Sequence, residues 1–150
     1  MKKSLFLLLV LFLGCKKDPS EQINPDHFIF GTAYGECAGD CARLFKLEDE
    51  KLFPDDGVVY LNYNGADIPF QTQSLATDKV ALAESLLSQM PAALLNETEE
   101  QIGCPDCHDQ GTIFIETKTG DAVRRWYIDP DSEQYGSFCD SVRTIVNKLQ

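Results

Sequence analysis

Apolar and polar positions alternate along the first third of the chain beyond residue 26, and that alternation reads as β-structure. His27-Phe28-Ile29-Phe30-Gly31-Thr32-Ala33-Tyr34 predicts one strand. Arg43–Leu47 and Lys51–Phe53 predict a hairpin around Glu48-Asp49-Glu50, and Val58–Tyr63 predicts a fourth strand after the turn cluster Pro54-Asp55-Asp56-Gly57. The spacing then changes to steps of three and four. Val80, Ala83, Leu87 and Met90 lie on one helical stripe, widened by Leu82 and Leu86, with Thr77 or Asp78 available as a cap and Pro91 as a stop. Ala92–Leu95 can begin a further short helix. Alternation returns in Thr112–Thr117 and Arg124–Asp129, joined by the turn Lys118-Thr119-Gly120-Asp121. Phe138, Val142, Ile145 and Leu149 form a last helical stripe, for which Asp129 and Pro130 offer a cap and a first turn. The order β-β-β-β-α-β-β-α predicts an α+β fold, an antiparallel sheet packed against two helices.

The start of the chain has a different character. Met1-Lys2-Lys3-Ser4 is basic, and Leu5–Leu13 is unbroken apolar sequence. As a helix that run would be about 14 Å long, less than half of a hydrocarbon core of about 30 Å, so it reads as the core of a signal peptide and not as a membrane span. Leu11-Phe12-Leu13-Gly14-Cys15 resembles the lipobox of bacterial lipoproteins. The resemblance implies a lipid on Cys15, cleavage before it and anchorage in a membrane; Lys16, where that family often carries an inner-membrane retention Asp, points to the outer membrane. Residues 1–14 are then a signal peptide, residues 15–26 a polar, proline-containing lipidated tether, and residues 27–150 one domain.

Composition supports this division. The chain has 150 residues, 43% hydrophobic and 25% charged, which suits one globular domain. Its 13 basic and 24 acidic residues give a formal charge of −11, which argues against a phosphate backbone as partner and so against nucleic acid. Loss of Lys2 and Lys3 with the signal peptide makes the mature chain still more acidic, so contact with an anionic membrane rests on the N-terminal lipid and not on a basic patch.

Beyond Cys15 the candidate chemistry lies in five cysteines. Cys37-Ala-Gly-Asp-Cys41 and Cys104-Pro-Asp-Cys107 are two tight pairs on glycine- and proline-containing turns, and Cys139 is left over. Four readings fit the pairs. In an exported chain they form structural disulfides, either as two local rings of about 2 kcal/mol each or as a cross-link such as Cys37 to Cys104, of about 4.4 kcal/mol by loop entropy. Four thiolates can also build a tetrahedral zinc or iron site. Cys104-Pro-Asp-Cys107-His108 matches the attachment pattern of c-type haem, with His27 or Met90 as the available sixth ligand. Cys104 and Cys107 could exchange with a partner's thiols. Structural disulfides are expected, with Cys139 a buried thiol on the last helix.

Gly35-Glu36-Cys37-Ala38-Gly39-Asp40-Cys41-Ala42, with Leu44–Leu47 and Lys51–Phe53 after it, and Ile102-Gly103-Cys104-Pro105-Asp106-Cys107-His108-Asp109-Gln110-Gly111, leading into Ile113–Glu116, resemble an uncharacterised family of small exported bacterial lipoproteins over roughly residues 27–130. The resemblance implies no activity. It also implies that His108 is incidental, because the matching position is commonly not histidine there.

The remaining motifs add little. Asp129-Pro130-Asp131-Ser132-Glu133 spaces its carboxylates like the start of a calcium loop, but Gln134 stands where such a loop needs glycine. Asp40, Asp106 and Asp109 are expected to cap backbone N–H groups at the cysteine turns. No nucleophile elbow, zinc-protease motif or phosphate loop occurs, and a chain with two histidines is a poor candidate for a triad or a three-histidine metal site. The expectation is a membrane-anchored binding or envelope-scaffold module that needs no cofactor, its ligand or protein partner open. The alternative is a redox or metal-binding protein that uses the two cysteine turns.

Overall fold

The computed structural model describes residues 23–35, 37, 38, 41–57 and 68–150. Its strands are β1 (His27–Ala33), β2 (Ala42–Glu48), β3 (Lys51–Pro54), β4 (Gln101–Ile102), β5 (Thr112–Thr119) and β6 (Ala122–Ile128). Its helices are α1 (Thr77–Ser88) and α2 (Gly136–Leu149), with a 3₁₀ turn at Leu94–Asn96. The six strands form one sheet in the order β3-β2-β1-β5-β6-β4. The fold is therefore α+β, as the periodicity predicts.

Two details differ from the sequence expectation. The sheet is mixed and not purely antiparallel, because β4 runs parallel to β6. The chain leaves the sheet at the β3 edge, is carried by α1 and the 3₁₀ turn to the opposite edge, and so arrives beside β6 in the same direction. The helix starts also differ. Ala76 and Tyr135 stand at the N-caps of α1 and α2, and neither supplies a side-chain cap bond. Asp129, seven positions before α2 begins, spends its carboxylate elsewhere. The predicted strand over 58–63 lies outside the described residues, as do Cys15 and the rest of residues 1–22.

Strand parity explains how the sheet is covered. Phe28 and Phe30 on β1 point to the same side as Phe45 and Leu47 on β2, Ile113 and Ile115 on β5, and Trp126 and Ile128 on β6. This face packs against Val80, Ala83 and Leu86 of α1 and Phe138, Val142, Ile145 and Leu149 of α2. Leu86, fully buried, is the centre of the α1 stripe, and Leu87 and Met90 lie at its margin. Each large side chain fully withdrawn from water here contributes about 1.5–3 kcal/mol.

The opposite face carries a smaller apolar cluster of Ile29, Ala33, Ala42, Leu44, Phe114 and Tyr127, with Ile68 and Phe70 packed against it. Gly31 sits in its middle, paired with Leu44 on one side and Phe114 on the other. A Cβ there would meet the Arg43 carbonyl oxygen at 2.0 Å and Leu44 Cδ2 at 2.8 Å, so only glycine lets the strands approach.

Asp26 ties the beginning of β1 to the β5–β6 turn. Its N–H donates to the Lys118 carbonyl at 2.7 Å, and its carboxylate accepts the Gly120 N–H at 2.6 Å. Among the described residues no helix is long and apolar enough to cross a membrane.

Candidate functional site

The four paired cysteines form two local disulfides, Cys37–Cys41 and Cys104–Cys107, with Cα–Cα separations of 5.5 and 5.6 Å. The cross-linked pairing is thus not used. The first ring closes the β1–β2 connection, whose mouth is held by the Tyr34 N–H donating to the Cys41 carbonyl at 2.8 Å. The second lies between β4 and β5, where the Cys107 N–H donates to the Cys104 carbonyl at 3.3 Å and the Asp106 N–H to the Gly111 carbonyl at 3.0 Å.

Three polar side chains organise this edge. Asp106 takes a left-handed backbone conformation, φ 59°, inside the second ring. Its carboxylate accepts the Gly35 N–H at 2.5 Å and the Gly111 N–H at 2.9 Å, joining the two disulfide turns. Asp129, just after β6, accepts the Cys104 N–H at 3.1 Å and the Asp131 N–H at 3.0 Å. The Asp131 N–H foremost, with those of Cys104 and Gln110 and the nearby His108, holds the Asp129 carboxyl below its ordinary range against its partial burial. Gln110 closes the loop by donating its side-chain amide to the Cys104 carbonyl at 2.9 Å and accepting the His108 N–H at 2.7 Å.

The other sequence candidates fall into place around this edge. His108 is exposed on the second turn. Asp109 shares the left-handed conformation, φ 57°. Asp40 lies outside the described residues. The spaced carboxylates after β6 do not gather, because Asp129 turns inward to backbone N–H groups while Asp131 and Glu133 are exposed. Cys139 is a free thiol, fully buried on α2, and burial above all pushes its pKa up to about 12. With both pairs joined, none of Cys37, Cys41, Cys104 and Cys107 is a thiolate, and among the described residues no three His, Cys, Asp or Glu side chains form a metal-holding group.

Two features lie outside the sequence expectation. Beside the first disulfide, a concavity of about 410 Å³ opens between the β1–β2 end and the last turns of α2, with Thr32, Tyr34, Cys41, Arg43, Arg143 and Asn147 in its wall. Arg143 also donates to the Gln110 carbonyl at 3.5 Å, so this hollow adjoins the second cysteine turn as well. The other feature is a charged row across the outer sheet face. Glu116, 5% exposed, accepts from His27 Nε2 at 2.8 Å and from Arg125 Nε. A smaller pocket of about 160 Å³ lies over this row, walled also by Lys46, Ile68 and Phe70. Strand register makes the row, since Ile29 pairs with both Lys46 and Glu116, and Glu116 pairs with Arg125. A pairing scheme drawn from the strand patterns could have found it. The arginine-walled hollow carries no such signal, because it depends on where α2 docks.

Compared with protein-family models, with curated protein sequences and with solved structures, the chain matches none.

Proposed function

We propose that this chain is a lipid-anchored module of the cell envelope that acts by binding, with its lipid on Cys15 and its binding surface at the double-disulfide edge. The observation that carries the reading is the joining of both disulfide turns by Asp106, beside an open hollow. Loops closed covalently and clasped to each other lose little conformational freedom when a ligand arrives, which is the energetic advantage of a preorganised binding surface. The resemblance of Leu11–Cys15 to a lipobox supports the address, and a polar tether over residues 16–26 would let the domain stand off the membrane.

The test is fractionation of the full chain and its Cys15→Ser variant after export in a bacterial host. The expected result is membrane-bound, detergent-released wild type and a variant that is unprocessed or lost from the outer membrane. A variant that still sits in the outer membrane and is released by detergent sinks the anchor. Visible spectroscopy, metal analysis and a dithiol-reductase assay on the wild type address the action: a Soret band, stoichiometric zinc or iron, or catalytic disulfide reduction replaces binding by the redox or metal reading.

A further inference from the structure

The chain holds four arginines, and the fold commits two of them. Arg125 is paired with buried Glu116. Arg124 lies over the Trp126 ring, 5.0 Å from its centroid, and donates to the Leu95 carbonyl and, at 2.6 Å, to the Glu97 carbonyl. The other two, Arg43 on β2 and Arg143 on α2, both border the hollow of about 410 Å³. Arg43 makes no ion pair or side-chain hydrogen bond among the described residues. Arg143 is held loosely, 3.9 Å from a carboxylate oxygen of well-exposed Asp140 and 3.5 Å from the Gln110 carbonyl. Among the described residues no Asp or Glu lines the hollow. Thr32, Tyr34 and Asn147 add neutral hydrogen-bonding groups to the same wall. The contrast within the molecule is sharp: a hollow of about 360 Å³ beside the β2–β3 turn is bordered by Asp26, Glu48, Asp49, Glu50 and Glu84.

From this placement we infer that the hollow between β1–β2 and α2 is a binding site for a small oxyanion-bearing molecule, its carboxylate or phosphate held between Arg43 and Arg143. A guanidinium presents a planar fork of N–H donors that fits a carboxylate or a phosphate two bonds at a time, and charge-assisted bonds of this kind are the strong ones. Two cations, one without an ion pair among the described residues and the other only loosely paired with exposed Asp140, set in a shape with neutral hydrogen-bonding groups around them, suit such a ligand. The size of the hollow suits a small molecule. The acidity of the rest of the chain disfavours a polyanion, which would have to lie along repelling surface. This inference rests on the reading of the chain as a binding module and names the ligand class of its site.

The experiment is calorimetric titration of the full, oxidised chain in non-ionic detergent at physiological salt, with citrate and inorganic phosphate as probes and glycerol and spermidine as neutral and cationic controls. Binding of either anion, at least tenfold weaker in Arg43→Gln and in Arg143→Gln and unchanged in Lys51→Gln, is the expected result. Lys51 is exposed on β3, outside the wall of the hollow, so its variant removes the same charge without touching the site. Citrate alone points to a carboxylate ligand, phosphate alone to a phosphoryl ligand, and both to the shared oxyanion chemistry. Unchanged melting and an unchanged count of disulfides in the arginine variants separate loss of the site from loss of the fold. The inference is overturned if neither anion binds with a Kd below about 10 mM, or if Lys51→Gln weakens binding as much as the arginine variants do. That failure is distinct from failure of the binding-module reading, which shows instead as a Soret band, bound metal or reductase activity in the wild type.

Discussion

Asp106, inside the Cys104–Cys107 ring, accepts the backbone N–H of Gly35 at 2.5 Å across a sequence separation of 71 residues. This one bond couples the two disulfide turns, and its geometry is tight at the Gly35 end. A Cβ on Gly35 would stand 2.7 Å from the Asp106 carboxylate oxygen. Asp106→Ala removes the acceptor of two backbone N–H groups at a partly solvated site, and its expected cost is about 1–2 kcal/mol. Asp106→Asn is milder, because asparagine tolerates the left-handed backbone and keeps one carbonyl oxygen. Gly35→Ala also destabilises, and the Gly35→Ala/Asp106→Ala double variant loses less than the sum of the singles. Denaturant melts of the four variants measure this; strict additivity would show that the two residues are uncoupled.

The second ring is one bond shared by two residues. Cys104→Ala and Cys107→Ala are each expected to cost about 2 kcal/mol, and the double variant about the same as either single. His108→Ala, on an exposed side chain, is expected to stay within about 0.5 kcal/mol of wild type. A loss at His108 as large as at the cysteines would give that histidine a structural or ligand role.

Alkylation separates the domain's five cysteines by state. With two disulfides formed, denaturation without reduction is expected to expose a single reactive thiol beyond residue 26, at Cys139. In the folded protein that thiol is expected to resist alkylation, being both fully buried and held in its neutral form. Peptide mass spectrometry of the labelled chain decides it, and label on Cys37, Cys41, Cys104 or Cys107 before reduction would contradict the two bridges.

The β2–β3 turn is built from unsuited residues. Asp49 and Glu50 both hold positive φ, 50° and 57°, as a two-residue hairpin of the type that favours Asn-Gly. Glu50→Gly and Asp49→Asn together should stabilise the fold by about 1 kcal/mol, because glycine and asparagine adopt this backbone at lower cost. A melt that stays put or falls would mean that side chains at the turn supply compensating contacts.

Alkaline pH should weaken the fold through two neutral groups. Burial, ahead of the hydrogen bond from its hydroxyl to Glu97 at 2.5 Å, pushes Tyr135 from 10.0 up to about 12, and burial pushes Cys139 from 9.0 up to about 12. In the unfolded chain both ionise at their ordinary values, so between about pH 9 and 12 the unfolded state releases protons that the folded state retains. Their contribution is complete below about pH 9 and is lost as pH rises through about 12. Stability measured across that range should fall less steeply in Cys139→Ala and in Tyr135→Phe than in wild type.

Much of the architecture is legible in the amino-acid sequence. The β-branched and aromatic runs at Phe28–Ala33 and Thr112–Thr117, buried on both faces of the sheet, and the period-3.6 stripe from Phe138 to Leu149 specify element type locally. The local cysteine rings are one of the pairings the sequence leaves open, because a spacing of three or four residues closes a tight turn. What the chain alone could not tell is which elements become neighbours. Asp106 meets Gly35 because β1 and β5 pair at the sheet centre; Asp129 caps the Cys104 turn because β6 pairs with β4; and Arg43 faces the same hollow as Arg143 because α2 docks across β1. These contacts join residues far apart in sequence, and no local propensity encodes them. They follow from the sum of many burial and pairing energies that only the folded chain adds up.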